Sequence, residues 1–364
     1  LSLAHDKNDV NIAATKIAAV ENALHAKFKL QKRYNNYFKL NMGVEQFLIN
    51  YKEDVPLEND TFKNGINHGI TGAFAEAEIF ASKDLAFKAG LRGDYYSASD
   101  EFKVSPRLSA AVSLNNSSQF SLAYGNFYQA VQNNVQQYDK NIKPENAQHY
   151  IANFLFKKND RMFRAEGYYK SYDELLTYDT ARVQFDSDLG NGGEGYAAGL
   201  DLFWRDERSI KNLDYWVSYS YLDTKRQFRN FPVEATPNFA TDHNFSLVGK
   251  YWIQDWQSQI GATFNYSSGR PFTNANESGF LNDRTSFFQS LNLNWAYLID
   301  QQKILYFSVS NVLGRDNVFG YQYSDTPDVQ GQFNRRTIGQ AADRFFFVGF
   351  FWTVGGSDNQ LDNL

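Results

Sequence analysis

Five histidines, His5, His25, His68, His149 and His243, are the first residues that could do chemistry, since imidazole is both a metal ligand and a general base. They are scattered. No pair stands at H-x-x-x-H spacing and none sits beside a carboxylate cluster, so no metal site is assigned. Ser246 and His243 are close in sequence and have the types of a nucleophile and its base, but proximity along the chain does not bring a serine, histidine and acid together. The glycines from Gly190 to Gly195, and Gly269 in SSGRP, lack the following Lys-Ser and the strand-to-helix context of a phosphate cradle. They read as loops turning back into strands. Adjacent acids, Asp173 with Glu174 and Asp206 with Glu207, read as loop solvation. Cysteine is absent, which removes thiolate chemistry and disulfides. No catalytic residue and no cofactor follow, and the chain reads as a non-enzyme.

What remains is a set of charges that recur in one phase of alternating segments: Lys27, Lys29, Arg33, Lys88 and Arg92, then Arg164, Glu166, Lys170, Asp201 and Arg205. The elements that would position them are strands. Charged residues are 21% of the chain, yet aromatics are 17%, with 32 Phe and 23 Tyr, so polar and apolar residues must be interleaved. At 364 residues the chain exceeds a single soluble core, and its longest apolar run, Phe345 to Trp352, is too short for a spanning helix. A net charge of −5 argues against a nucleic-acid surface.

Read in steps of two, Leu291, Leu293, Trp295 and Tyr297 interleave with Asn292, Asn294 and Ala296, and Phe120, Leu122 and Tyr124 with Ser121, Ala123 and Gly125. About fifteen such runs follow one another between residues 22 and 354. Short and long connections take turns. Asn35 with Asn36, Ser82 to Asp84, Asn115 to Ser118, Lys158 to Asp160 and Gln254 to Trp256 are tight, and 206–212 is a looser turn on the same side. Long polar segments run over 52–68, 130–145, 174–192, 227–241, 268–285 and 313–343, with 99–103 a shorter member. Sorting of connections by length is the habit of an outer-membrane barrel, with periplasmic turns on one rim and extracellular loops on the other. The expected fold is therefore all-β, a transmembrane antiparallel β-barrel. Residues 1–20 read as an extracellular loop or irregular segment, 21–354 as barrel strands, and 355–364 as a polar C-terminal tail.

Several stretches carry a resemblance: SPRLSAAV at Ser105 to Val112, AYGNFYQ at Ala123 to Gln129, IKPENAQHY at Ile142 to Tyr150, and GEGYAAGLDLFW at Gly193 to Trp204. DHNFSLVGKYW at Asp242 to Trp252, SSGRPFTN at Ser267 to Asn274 and SVSNVLGRDNVFGYQYS at Ser308 to Ser324 continue it. Taken in order, they resemble the C-terminal barrel portion of a TonB-dependent outer-membrane receptor of the Bacteroidota type. That resemblance implies a barrel of about 22 strands around a plug, of which this chain would supply about fifteen. It also implies energy delivered through TonB for uptake of a scarce ligand. No stretch here resembles the plug or the TonB-engaging segment, and the chain continues past Gly349, Trp352 and Val354 where most members stop on an aromatic.

On that frame the ten phased charges are expected to face the lumen. All six tryptophans fall toward the short-turn end, and Trp204, Trp256, Trp295 and Trp352 share the outward phase, so they are expected to form a girdle at the periplasmic rim. Trp216 and Trp252 read inward. An odd strand count ending in a descending strand would place Leu1 in an extracellular loop, with a preceding barrel and plug segment as partner. The expected setting is the cell outer membrane, with long loops extracellular and the C-terminus periplasmic. Partners are outer-membrane lipid, TonB by resemblance, and surface lipoproteins or other outer-membrane subunits. A passive porin, a structural barrel subunit of a larger complex, and a soluble carbohydrate-binding β protein are the rival readings.

Overall fold

A computed structural model of the chain describes residues 1–12, 15–56 and 61–354; the expected polar tail, 355–364, lies outside the described residues. The first strands are β1 (Ser2–Ile12), β2 (Thr15–Arg33), β3 (Phe38–Pro56), β4 (Thr61–Phe80), β5 (Leu85–Tyr96), β6 (Glu101–Asn115) and β7 (Ser118–Gln129). A one-turn helix α1 (Asn133–Gln136) precedes β8 (Glu145–Lys158), β9 (Arg161–Tyr178), β10 (Leu189–Asp206), β11 (Leu213–Gln227) and β12 (His243–Ile253). After a 3-10 turn at Gln254–Trp256 come β13 (Ser258–Ser267), β14 (Pro271–Phe272), β15 (Asp283–Arg284), β16 (Phe288–Asp300) and β17 (Lys303–Ser310). The last are β18 (Val318–Tyr323), β19 (Arg335–Gly339) and β20 (Phe345–Trp352).

Sixteen strands hydrogen-bond in chain order into one sheet, β1 to β13, then β16, β17 and β20. Every register given for that sheet is antiparallel. The remaining strands make two small hairpin sheets, β14–β15 and β18–β19, inside the long connections. The chain divides into two compact units. The first comprises Leu1–Ala152, Tyr168–Ala197 and Lys225–Glu234; the second comprises Asn153–Gly167, Ala198–Thr224 and Ala235–Leu364.

Burial in the first unit is inverted relative to a protein folded in water. On β3, Asn41, Glu45 and Tyr51 are buried, at 5%, 7% and 9% exposure, whereas the intervening Val44 and Leu48 are 56% and 51% exposed. Side chains of a strand alternate between faces, so one face carries the polar residues and the other presents Val, Leu, Phe and Ala outward. That arrangement costs free energy in water and suits a strand whose outer solvent is hydrocarbon. In the second unit Leu293 and Trp295 are exposed on the apolar face, while Asn292 and Asn294 take the other phase.

Two sequence expectations need correction. Residues 1–20 are not a loop: β1 pairs with β2 from Ser2 opposite His25 to Ile12 opposite Thr15. With Asp6, Lys7, Asn8 and Asp9 in succession, β1 has no apolar phase, so the period that reveals the other strands is silent although the backbone ladder forms. The sheet therefore has sixteen strands rather than an odd fifteen, and the placing of Leu1 in a loop loses its premise. The second correction concerns 52–68, expected as a long loop. Pairing of β3 with β4 runs on to Pro56 opposite Thr61, where the outward phase is polar, with Lys52, Asp54, Lys63 and Asn67, and the other phase mixes Val55, Phe62 and Ile66 with Glu53, Asn64 and His68. On the same side 97–100 is only four residues, but from β6 onward the sorting of connections holds: 159–160 is a two-residue hairpin with Asn159 and Asp160 both at positive φ, 52° and 58°, the backbone of a type I′ turn.

The two phases of β16 give a direct test. Leu293→Arg puts a cation on the apolar face and is expected to cost about 2–4 kcal/mol near mid-bilayer, whereas Asn292→Arg stays on the polar face. Folding into lipid vesicles, followed by heat-modifiable gel mobility, should fail or weaken for the first variant and proceed for the second; equal effects would overturn the assignment of faces.

Candidate functional site

The charges of the polar face in the first unit are held by register. Lys27 on β2 lies opposite Glu45 on β3, Glu45 opposite Gly72 on β4, and Gly72 opposite Asp94 on β5. Glu45 accepts from Lys27 Nζ at 3.2 Å and Arg92 Nη1 at 2.8 Å, and its Oε1 lies 2.8 Å from His25 Nε2. The Arg92 guanidinium also donates to Asp94, from Nη2 at 2.7 Å. Arg92 reaches Glu45 across β4 because residue 72 is glycine: a Cβ there would lie 2.6 Å from Arg92 Nη2 and would press on Asp94 Oδ1. Nearer the short turns, Lys39 pairs with Glu78 at 3.3 Å, and Lys88 with Glu76 at 3.3 Å and Glu78 at 3.4 Å. Toward the long connections, Lys103 bridges Glu101 at 3.5 Å and Glu174 at 3.3 Å. Each buried charge has a partner of opposite sign, which offsets its desolvation.

Across the long-connection end of this face lies a strap, residues 130–144, built on α1. Val131, Val135 and Ile142 are buried against Leu176 of β9, with Tyr178, Val183 and Leu189 packed around them. The other side of the strap is tied to β2, β3 and β4. Asn133 Oδ1 lies 2.7 Å from His68 Nε2, Asn133 Nδ2 donates to Glu21 at 2.8 Å, and Gln137 Nε2 donates to Glu53 at 2.8 Å. Tyr51 also donates to Glu53, at 2.8 Å. Burial of the strap's Tyr138, reinforced by the nearby Glu53 carboxylate, pushes its phenol above the ordinary tyrosine range. Hydrophobic residues fix one side of the strap and amides bound to carboxylates fix the other.

The remaining phased charges are local. Lys29 shares the phase of Lys27, and Arg33 lies over the Phe80 ring at 5.8 Å. Arg164, Glu166 and Lys170 follow one phase of β9, with Glu166 accepting from Asn153 at 3.1 Å and Lys170 over Tyr168 at 4.9 Å. On β10, Asp201 and Arg205 share a phase, and Arg205 pairs with Asp214 at 2.8 Å and Glu207 at 3.0 Å. His243 and Ser246 fall on opposite faces of β12: His243 Nδ1 lies 2.9 Å from the Tyr219 hydroxyl, and Ser246 donates to Asn265 at 3.0 Å. Among the described residues no group of three His, Cys, Asp or Glu could hold a metal ion.

All six tryptophans belong to the second unit; five lie at or near the short-turn ends of their elements, whereas Trp295 is the eighth of the 13 residues of β16. Trp204 and Trp295 stand on the apolar phase, Trp352 is exposed on β20, and Trp256 lies in the 3-10 turn rather than on a strand. Trp216 is flanked by Arg205 at 5.7 Å and Lys250 at 5.9 Å on the polar face, and Trp252 packs with Ala296, Leu298 and Ile304. A second aromatic feature was missed in the sequence. Tyr124, Tyr150, Tyr169 and Tyr196 form a continuous row across β7 to β10, with successive ring centroids 5.1, 6.4 and 6.3 Å apart. Its signal was tyrosine in the apolar phase of four successive strands, which only the strand register aligns.

Removing Glu45 should be costly because Arg92 and Lys27 would keep their charge without it. Arg92 keeps Asp94 and Lys27 is half-exposed, so Glu45→Leu is expected to lose about 1.5–3 kcal/mol, as for a hydrogen bond to a charged group, in urea titrations of the refolded protein in lipid. A loss below about 1 kcal/mol would show that the network adds nothing to cohesion. The strap can be followed with one thiol, since the chain has none of its own. Cysteine at Val135 should react slowly with a maleimide, and adding Asn133→Ala and Gln137→Ala should speed that labelling; an unchanged rate would mean that those amides do not hold the strap.

Residues 8–312 match the family described as TonB dependent receptor-like, beta-barrel. A comparison with curated protein sequences finds no match. Similar solved structures include the outer membrane transporter YddB from Escherichia coli, at 11% identity and a TM-score of 0.71, covering 93% of this chain and 55% of that one. The FrpB iron transporter from Neisseria meningitidis matches at 13% identity and a TM-score of 0.72, with 93% and 56% covered. The ferric enterobactin receptor PfeA from Pseudomonas aeruginosa matches at 14% identity and a TM-score of 0.68, with 93% and 54% covered. The chain thus spans about half the length of these structures, whose likeness concerns the fold. With 305 of its residues inside the family match, counting 8 to 312 inclusive, this chain belongs to the TonB-dependent receptor β-barrel family of the outer membrane.

Proposed function

We propose that the chain is the barrel wall of an active outer-membrane receptor that takes up a scarce ligand with energy supplied through TonB. The observation that carries this is the family match over 8–312, laid on strands that are polar on one face and apolar on the other. In this reading the polar face lines the lumen, so Lys27, Lys88 and Arg92 are wall charges already neutralised by carboxylates rather than a bare path for a charged solute. The long connections are extracellular, the C-terminus is periplasmic, and Trp204, Trp256, Trp295 and Trp352 mark the periplasmic interface, where an indole finds both an apolar and a polar partner. A further barrel segment with a plug, as the resemblance implies, completes the receptor. Surface lipoproteins or other barrels are its neighbours in the membrane.

The strap favours a gated receptor over a permanently open porin, because it is folded against the polar face and pinned on both sides. Cells producing the complete gene product should accumulate one of a panel of labelled ferric siderophores, cobalamin and oligosaccharides, and only while the proton-motive force stands. Uptake that survives a protonophore would replace the reading by a passive porin. Absence of uptake, with constant co-purification of a lipoprotein or second barrel, would replace it by a structural subunit.

A further inference from the structure

Two carboxylates of the polar face stand apart from its ion-pair network. Glu45, Glu76, Glu78, Asp94, Glu101 and Glu174 each have a lysine or arginine within ion-pair reach. Glu21 of β2 and Glu53 of β3 have none among the described residues, and their hydrogen bonds come from neutral groups, the amides of Asn133 and Gln137 and the Tyr51 hydroxyl. Asp6 of β1 lies opposite Glu21 in the same phase and adds a third negative charge. The cations of these strand ends, Lys7, Lys52 and Lys63, belong to the other phase and so to the other face. On the strap, Asp139 and Lys140 carry opposite charges that leave no net positive charge to offset the wall.

Register brings the two carboxylates together. Glu21 lies opposite Tyr51, and Glu53 is two residues farther along β3 on the same face, so the pair are diagonal neighbours with Cβ atoms about 7 Å apart. The strap adds a third acceptor. Gln137 is 7% exposed, and its Nε2 donates to Glu53 at 2.8 Å and to the Asn134 carbonyl at 3.1 Å, which holds the amide head against the carboxylate. Its Oε1 is buried and accepts no hydrogen bond from any described residue, an arrangement that costs stability unless a donor arrives. Two carboxylates and an amide oxygen thus meet under the strap with a surplus of acceptors and of negative charge. A primary ammonium is the complement of such a place, with one positive charge and three N–H donors on a compact head and no acceptor of its own. A hydroxyl would bring one donor and further lone pairs. A metal ion matches less well, because no three His, Cys, Asp or Glu among the described residues are grouped to hold one.

We propose that Glu21, Glu53 and Gln137 bind a primary ammonium group of the ligand, and that the bound ammonium ties the strap to β2 and β3. Glu21 and Glu53 are only half-buried, so the place is open to a solute on the polar face. Charge-assisted hydrogen bonds from the ammonium to both carboxylates are roughly twice as strong as those the neutral amides supply. As a statement about cargo this rests on the uptake reading; the binding itself does not, and every group involved lies in the first unit.

Protection of the strap tests the proposal. In the complete protein carrying Val135→Cys, maleimide labelling at residue 135, read by peptide mass, should slow several-fold as butylammonium chloride is titrated at constant ionic strength. Butyltrimethylammonium, which has the charge without N–H donors, and butanol should leave the rate unchanged. Glu53→Gln keeps an oxygen for the strap amide and should move the midpoint of protection roughly tenfold higher. Asp54→Asn removes the same charge one residue away on the opposite face and should leave the midpoint where it was. Ala19→Lys sets an ammonium opposite Glu53 on the same face, so labelling should be slow without any amine and indifferent to added amine, a gain that a misfolded barrel would not show. Equal protection by butylammonium and butyltrimethylammonium, or equal shifts in the Glu53 and Asp54 variants, would overturn the site. Protection by micromolar calcium that butylammonium does not reproduce would overturn the choice of ligand. Labelling needs no proton-motive force, so a failure of ammonium binding and a failure of energised uptake are separate results.

Discussion

Hydrocarbon offers no partner to a peptide N–H or C=O, and most of this structure follows from that. Each unsatisfied group costs several kcal/mol in the bilayer, so a chain that crosses as strands must pair every residue of its crossing with a neighbour. The long ladders supply this: β2 with β3 and β3 with β4 remain in register over almost their whole lengths, and they continue past the apolar band. Pairing rather than a core fixes the fold. The apolar side chains are then free to be exposed, as Val44 and Leu48 are, and the carboxylates to be buried, as Glu45 is.

Once the ladder fixes the register, the polar face must dispose of its charges within reach of neighbouring strands. Glu45, Arg92 and Asp94 do this over three strands, through a gap that exists because residue 72 has no side chain. Such a network does not raise stability above that of an apolar wall of the same shape, but it makes any unpaired change expensive, and so holds the face to one arrangement. The strap uses the same chemistry, with Asn133 and Gln137 bonded to Glu21 and Glu53, and adds a small apolar core of Val131, Val135, Ile142 and Leu176.

Legibility in the sequence tracks how strongly the two faces differ. Where one phase is apolar, as at Leu291 to Tyr297 or Phe120 to Tyr124, a step of two gives both the strand and its faces. Where no phase is consistently apolar, as in β1 and in the long-connection ends of β3 and β4, the same backbone ladder forms with no clear period in the hydropathy. The lone charges could be assigned a face, but not a partner, because register is a property of two strands: nothing in the local sequence of Lys27 says that residue 45 stands opposite it. The tyrosine row was hidden for the same reason, since it becomes continuous only across strands far apart in sequence.

Gly72 and Ala73 show how neighbouring small residues can serve opposite purposes in such a wall. Gly72 faces the polar side and leaves space for Arg92 to cross β4 toward Glu45. Ala73, with Ala75 beside it, faces the apolar side and leaves a hollow bounded by Met42 and Val44 of β3 and Leu91 of β5. In a soluble protein both gaps would be filled from a shared core or would weaken it. A single sheet with unlike solvents has no shared core, so a gap on either face must be occupied by what that face meets, a guanidinium on one side and hydrocarbon on the other. Small residues in β4 therefore set what each face admits, while its backbone, paired at Gly72 and Ala73 to both β3 and β5, is unaffected by either choice.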